Sequence, residues 1–324
     1  MKGKRILVTG GAGFIGSHIV EKLYNLNEVT VFDNLSSGKI EYLKNFNIDF
    51  IKGDIRNLDE LLSSTKEKDI VIHLAANPDV RRGELDNHID LEVNVIGTYN
   101  VLEAMRRNDV SGIIFSSSST VYGEAQVPTR EDYGPLIPIS FYGASKLAAE
   151  SYISSFSYTY GMKGISFRFA NVVGSRGTHG VIYDFILKLK KNRNELEILG
   201  DGTQTKSYIH VEDCVDGMLF AFDKTSKNYD VFNIGTEDST NVMEIAKIVV
   251  ESLGLKYVKL KIKGGEEGRG WKGDVKRMLL SIDKIKSLGW YPSMGSTEAV
   301  KMAVKELIGE LYDKENTNSS SSIR

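Results

Sequence analysis

Two short stretches carry side chains that could move protons. In SFYGASKLAAE, residues 140–150, Tyr142 and Lys146 stand four apart. On a helix that spacing puts both on one face. A phenol ionises near about pH 10 and is a poor base at neutrality. A neighbouring ammonium favours the phenolate by Coulomb attraction. A tyrosine so placed can take the proton of a hydroxyl while hydride leaves the same carbon. Ordinary surface helices also carry Tyr and Lys at this spacing, so the pair gains meaning only beside a hydride acceptor. In FSSSSTVYG, residues 115–123, four serines and a threonine follow an apolar run. Their position at a strand end, ahead of the Tyr–Lys helix, fits the wall of a site better than a linker.

A hydride acceptor is indicated near the start of the chain. VTGGAGFIGSH, residues 8–18, follows an apolar strand and opens a helix. Gly10, Gly13 and Gly16 are spaced three apart: the first for a tight turn, the second for close approach of a pyrophosphate, the third for close helix–sheet packing. The helix start offers unpaired N–H groups and a positive dipole end to the phosphates. Phe14 and Ile15 lie in the same turn. Asp33 ends the second strand, with Asn34 beside it; a carboxylate there suits a ribose 2′-hydroxyl and repels a 2′-phosphate. The cofactor is therefore expected to be NAD, and the alternative is a glycine-rich turn without a ligand. Its positive charge when oxidised pushes Tyr142 further toward phenolate. Asp54 and Ile55 follow the third strand and are candidates for the adenine. Leu74, Ala75 and Ala76 follow the fourth, where small residues let the backbone near a cofactor or simply pack tightly. His73, inside that strand, reads as a satisfied core histidine.

The elements that must hold these groups are legible as a rhythm. Apolar runs at 5–9, 29–33, 48–53, 69–75, 112–117 and 164–169 alternate with helical spacings at 13–26, 58–64, 89–107 and 141–160. Near-continuous apolar strands between helices predict βαβ units and a parallel sheet buried on both faces. The expected fold is α/β: a Rossmann-type doubly wound sheet in residues 1–172, with a returning segment at 208–235. A smaller C-terminal α/β substrate domain is expected at 173–312, with a strand at 195–199 and helices at 181–192, 241–253 and 295–312. Residues 313–324, polar and small, are expected to be a flexible tail.

Composition narrows the classes. The 324 residues carry 41 Lys and Arg against 43 Asp and Glu, a net charge of −2. No global field draws such a chain to nucleic acid or to an anionic membrane. A single cysteine, Cys214, excludes an intramolecular disulfide framework and a multi-cysteine zinc site. That fits a reducing compartment, and the expected location is cytoplasmic. The first apolar run is too short for a signal sequence, and no long apolar stretch predicts a membrane span. No metal site is expected.

In this order, TGGAGFIG, HLAA, Asn94-x-x-Gly-Thr, SSSSTVYG and YGASK resemble the extended short-chain dehydrogenase/reductase family, and more closely its UDP-glucose (UDP-galactose) 4-epimerase type. The resemblance covers residues 1 to about 310. It implies that Ser118 bonds the sugar 4-oxygen beside Tyr142, and that Asn94 and Ser116 stand near the cofactor. It also implies substrate contacts. Val80 and Arg81 lie beside the sugar and phosphates, Asn171 at the diphosphate, and Gly180, Val181 and Ile198 around the nucleoside. Where the family usually has QTRDYIHV, this chain has QTKSYIHV, so Lys206 keeps the charge without the guanidinium fork. Arg269 and Asp274, in GRGWKGDVKR, are the expected second cation and the ribose contact, although the family more often reads RPGD. Met278 falls where the residue gating the sugar's 2-position lies.

The resemblance also bears on the reaction. All these enzymes oxidise C4 of a nucleotide sugar first. A dehydratase then needs further acid–base groups, supplied in those relatives by an Asp-Glu pair before VYG. Here Ser119 and Thr120 occupy those places. The expected reaction is therefore 4-epimerisation of UDP-glucose and UDP-galactose. UDP-N-acetylhexosamine and UDP-glucuronate are the alternative substrates. A homodimer through a four-helix bundle built from 89–107 and the Tyr142 helix is implied by resemblance alone.

Overall fold

The computed structural model describes the backbone of residues 1–321 and, Glu84 apart, the side chains of residues 1–312. Six strands run in the first half: β1 (Arg5–Thr9), β2 (Glu28–Asp33), β3 (Asp49–Lys52), β4 (Ile70–His73), β5 (Gly112–Ser118) and β6 (Lys163–Phe169). Helix α1 (Phe14–Leu23) follows β1, and α2 (Leu58–Ser64) follows β3. A seventh strand, Tyr229–Ile234, comes from the second half and pairs with β6. Across the sheet the order is Tyr229–Ile234, β6, β5, β4, β1, β2, β3. All pairings are parallel. This is a Rossmann-type doubly wound sheet. Strand order reverses between β1 and β4, and such a reversal opens a crevice at the carboxyl ends of the strands.

Alternation along each strand feeds two cores. Ile6 and Val8 face one side, with Ile19 and Val20 of α1 and Met218 of the helix Val211–Lys224. Leu7 faces the other, with Leu61 of α2, Leu102 and Met105 of the helix Gly97–Arg107, and Ile153 of the helix Phe141–Tyr160. Covering both faces explains why the strands read as unbroken apolar runs. A third core unites the helices Val181–Lys191 and Val242–Ser252 with the strand Glu195–Ile198 and the first turns of Ser296–Ser321.

Three elements differ from expectation. The helix expected over 89–107 is a turn, His88–Asp90, then a π-helix, Leu91–Ile96, then the α-helix Gly97–Arg107. The one buried polar side chain in that π segment, Asn94, bonds to other elements, and apolar spacing carries no signal for this. A short strand, Asn171–Val173, pairs in parallel with Tyr208–His210, and neither is long enough to show periodicity. The last helix runs through Ser321, past the expected start of the tail at 313; residues 322–324 lie outside the described residues. Among the described residues, no helix is long and apolar enough to cross a membrane, and no cluster of His, Cys, Asp and Glu could hold a metal.

A buried ion pair ties β6 to the helix behind it. Arg168 Nη2 lies 2.7 Å from Glu150 Oε2, with side chains 5% and 3% exposed. The Ser117 hydroxyl donates to Glu150, and the Arg168 guanidinium stacks over Tyr122 at 4.7 Å. Removing one partner strands the other charge in the interior. Arg168→Ala is expected to lower stability by about 3–5 kcal/mol in urea unfolding. The double variant Glu150→Gln/Arg168→Met should recover part of that loss.

Candidate active site

The crevice at the switch point is a cleft of about 970 Å³ that runs from the β1–α1 turn to the C-terminal lobe. That is the upper end for a single ligand, as a cofactor and a substrate sharing one cleft require. At its first end, Gly10 has φ +72, and a Cβ there would lie 2.6 Å from the Ala75 nitrogen. A Cβ on Gly16 would lie 2.2 Å from the Gly10 carbonyl oxygen. Gly13 caps α1 without a side-chain bond, which leaves the first-turn N–H groups for an anion. Asp33 is buried and accepts from Ala12 N at 3.0 Å and from Leu35 N at 2.8 Å. Burial pushes its carboxyl up, and these two backbone bonds pull it back. Each oxygen keeps a lone pair for a ribose hydroxyl. The Arg56 guanidinium, followed by Asn34, holds Asp54 far below the usual carboxylate range. His73 is wholly buried between the Thr9 and Thr98 hydroxyls, at 2.7 and 3.0 Å, and burial lowers its pKa to about 3. It is a core histidine, as expected.

The serine run splits into separate tasks. The Ser116 carbonyl accepts from Lys146 Nζ at 2.8 Å. Ser117 turns away to Glu150. Ser118 ends β5 facing the cleft, and its Oγ accepts from the Thr120 hydroxyl at 3.0 Å. Ser140 caps the helix Phe141–Tyr160, its Oγ accepting from Gly143 N at 3.0 Å, and so sets where Tyr142 emerges. Lys146 Nζ lies 5.7 Å from the centre of the Tyr142 ring. Burial pushes Lys146 down to about 8, against the pull of Asp90 and Glu150. Burial, and then Asp90, pushes Tyr142 above its ordinary value, while Ser118 works the other way. In the protein alone the phenol is not made acidic: the Lys146 ammonium is bonded to a main-chain carbonyl, and desolvation of the phenol outweighs the lowering that Ser118 supplies.

Three comparisons bear on this cleft. Residues 6–235 match the model of the NAD dependent epimerase/dehydratase family. A UDP-glucose 4-epimerase of Mycolicibacterium smegmatis is 33% identical over 315 residues, covering 93% of this chain and 97% of its own. The chain belongs to that family. Its structure is similar to a crystal structure of UDP-galactose 4-epimerase, with TM-score 0.86 and 42% identity over 95% of this chain and 99% of the other. It is also similar to the UDP-N-acetylglucosamine 4-epimerase of Methanobrevibacter ruminantium in complex with UDP-N-acetylmuramic acid. There the TM-score is 0.85 and the identity 32%, over 96% and 100% of the two chains. The cofactor of this family is NAD. The glycine cradle, the open helix start and the acceptor pair on Asp33 fit it.

In this epimerase/dehydratase chain the cleft gathers most of the residues singled out from sequence. Phe14, Ile15, Asn34, Ile55, Leu74, Ala75 and Ala76 line its cofactor end. Val80, Arg81, Asn171, Gly180, Val181, Lys206, Asp274 and Met278 line its other end. Three residues fall elsewhere. Asn94 is buried behind the wall, its amide oxygen accepting from Asn77 N and its nitrogen donating to Asp90 and Ser145. Ile198 is fully buried in the C-terminal core, and Leu199, the first residue past the strand Glu195–Ile198, reaches the cleft instead. Arg269 is engaged by Glu124, Glu267 and the Asp274 carbonyl, so its charge is already met. Tyr183 and Trp271 line the cleft without having been singled out, and nothing in their spacing marks them. Thr120, read only for the carboxylate it lacks, lines it too.

The glycine cradle can be tested directly. Gly16→Ala must displace the Gly10 backbone, and NAD affinity measured by calorimetry is expected to fall at least tenfold, roughly 1.4 kcal/mol.

Proposed function

We propose that this chain interconverts UDP-glucose and UDP-galactose by epimerisation at C4, through a 4-keto sugar, with Tyr142 as the base. The observation that carries the reading is the cleft-facing set Ser118, Tyr142 and Lys146, next to a serine turn that offers hydroxyls and no carboxylate. Tyr142 takes the proton of the 4-hydroxyl as hydride leaves C4 and gives it back once the ketone has presented its other face. Ser118 holds the 4-oxygen beside the phenol, and Lys146, fixed by the Ser116 carbonyl, supplies positive charge near the ring. NAD, when bound, takes up the hydride and returns it, so turnover is redox-neutral. Elimination needs an acid placed at the departing group. At that turn the chain has Ser119 and Thr120, and Glu124 beyond it pairs with Arg269 at 2.7 Å.

For the diphosphate we assign Arg81 and Lys206. Lys206 lies 2.5 Å from Asp274, so its charge is shared with the carboxylate we assign to the nucleoside ribose. The N-acetylhexosamine reading has one observation in its favour: Met278, unbranched and flexible, lines the cleft where a bulky ring would exclude a 2-substituent. We place the enzyme in the cytoplasm, where the free thiol of Cys214 is at home. We also propose a homodimer. Leu91, Ile96, Tyr99 and Tyr152 are exposed on the segments 91–107 and 141–160, the faces a four-helix bundle would cover. Light scattering should give twice the chain mass of 36.0 kDa.

Purified protein incubated with UDP-galactose, without added cofactor, is expected to yield UDP-glucose. UDP-GalNAc and UDP-glucuronate are run in parallel to settle the sugar. If none of the three is interconverted even with added NAD, the epimerase reading fails. Tyr142→Phe is expected to lose turnover by at least a hundredfold, on the order of the contribution of a general base. Its NAD affinity should be unchanged, and full activity in this variant would remove Tyr142 from the role of base.

A further inference from the structure

Behind the wall that carries Tyr142 lies a buried polar knot that the chemistry above does not use. Asp90 is 1% exposed. Its Oδ1 accepts from the side-chain amides of Asn77 at 2.9 Å and Asn94 at 3.1 Å. Its Oδ2 has no hydrogen-bond partner, and it sits so close to Gly83 that a Cβ there would lie 2.6 Å from it. Asn94 also donates to Ser145 Oγ at 2.9 Å, and Ser145 donates to the Tyr142 carbonyl at 2.8 Å. One carboxylate thus joins the cleft-lining Asn77, the π-helix and the helix turn that bears both Tyr142 and Lys146.

As scaffold alone this carboxylate is a poor choice. A single amide oxygen would satisfy both donors, and an ionised group with one oxygen unmet costs stability. What the carboxylate adds is a negative charge, linked through Asn94 and Ser145 to the Tyr142 turn; burial pushes its own pKa up, and Asn77, Lys146 and Arg82 pull it back. We propose that Asp90 is a positioning residue whose charge sets the pH range in which Tyr142 and Lys146 work together. This rests on the reading of those two as the proton-transfer pair. A negative charge disfavours the phenolate and favours the ammonium, so it holds both protons to higher pH. The same directions appear in the protein, where Asp90 raises both groups. The other charged or titratable groups bearing on the trio are Arg82 beside Asp90, His73 on β4 and Glu150 on the Tyr142 helix.

The test is the pH profile of Asp90→Asn against the unaltered enzyme, both loaded with NAD. With NAD bound, its positive charge favours the phenolate, so the acid limb reports Tyr142 losing its proton and the basic limb reports Lys146 losing its own. Both limbs are expected to move to lower pH, by about one unit. A scaffold role would lower the profile and leave its limbs in place, and that result overturns the proposal. A second readout needs no turnover. Tyrosinate absorbance of Asp90→Asn, minus that of Asp90→Asn/Tyr142→Phe, should titrate at lower pH than the matching difference without the Asp90 change. If Asp90→Asn does not fold, Asp90→Ser is read in the same way. Failure of the unaltered enzyme on every sugar would count against the epimerase reading, while the tyrosinate titration still decides the role of Asp90.

Discussion

A buried ammonium has to be satisfied, and in this protein one main-chain carbonyl does it. Lys146 is 3% exposed and bonds to the Ser116 oxygen at 2.8 Å. That bond ties the helix Phe141–Tyr160 to the carboxyl end of β5 and so fixes the distance between Tyr142 and Ser118. Around it the protein places compensating charge, Glu150 on one side and Asp90 on the other. Burial still wins, and Lys146 is left with a pKa of about 8, inside the range where enzymes use lysine. Rebuilding any of these contacts would move Tyr142 relative to Ser118, so the rest of the cleft wall depends on this one.

The serine run shows how closely a strand end can be used. Ser116 offers its carbonyl, Ser117 its hydroxyl to the buried Glu150–Arg168 pair, and Ser118 its hydroxyl to the cleft. Alternation along the strand decides which side chain goes where. At the other side of the switch point, β1 delivers the glycine turn. There the approach of Gly10 to Ala75 and of Gly16 to Gly10 leaves no room for a side chain. The two halves of the cleft are thus built on opposite principles: absence of side chains for the cofactor, and a dense hydrogen-bonded wall for the proposed proton chemistry.

Much of this was readable beforehand, and the reason lies in the range of the forces. The glycine spacing, Asp33 at the end of β2, and Tyr142 and Lys146 on one helix face are all local. Each depends on residues within a turn or a strand of itself. What the sequence left open is long-range. Asn94 looks like a cofactor ligand until Asn77, Asp90 and Ser145 are seen to use up its amide. Arg269 looks like a free cation until Glu124, far away in sequence, is found beside it. Ile198 ends its strand and Leu199 follows it, and only the packed C-terminal core decides which points inward.

By itself, then, the sequence determined the doubly wound sheet, the NAD turn and the placement of Tyr142 and Lys146 on one helix face, because periodicity and short spacings encode elements and their faces. Only the tertiary structure decided the protonation landscape of the site. The high pKa of Tyr142, the lowered one of Lys146 and the orphan oxygen of Asp90 arise from burial and from charges brought together across the fold. Desolvation is a property of the assembled interior, and no single stretch of chain contains it.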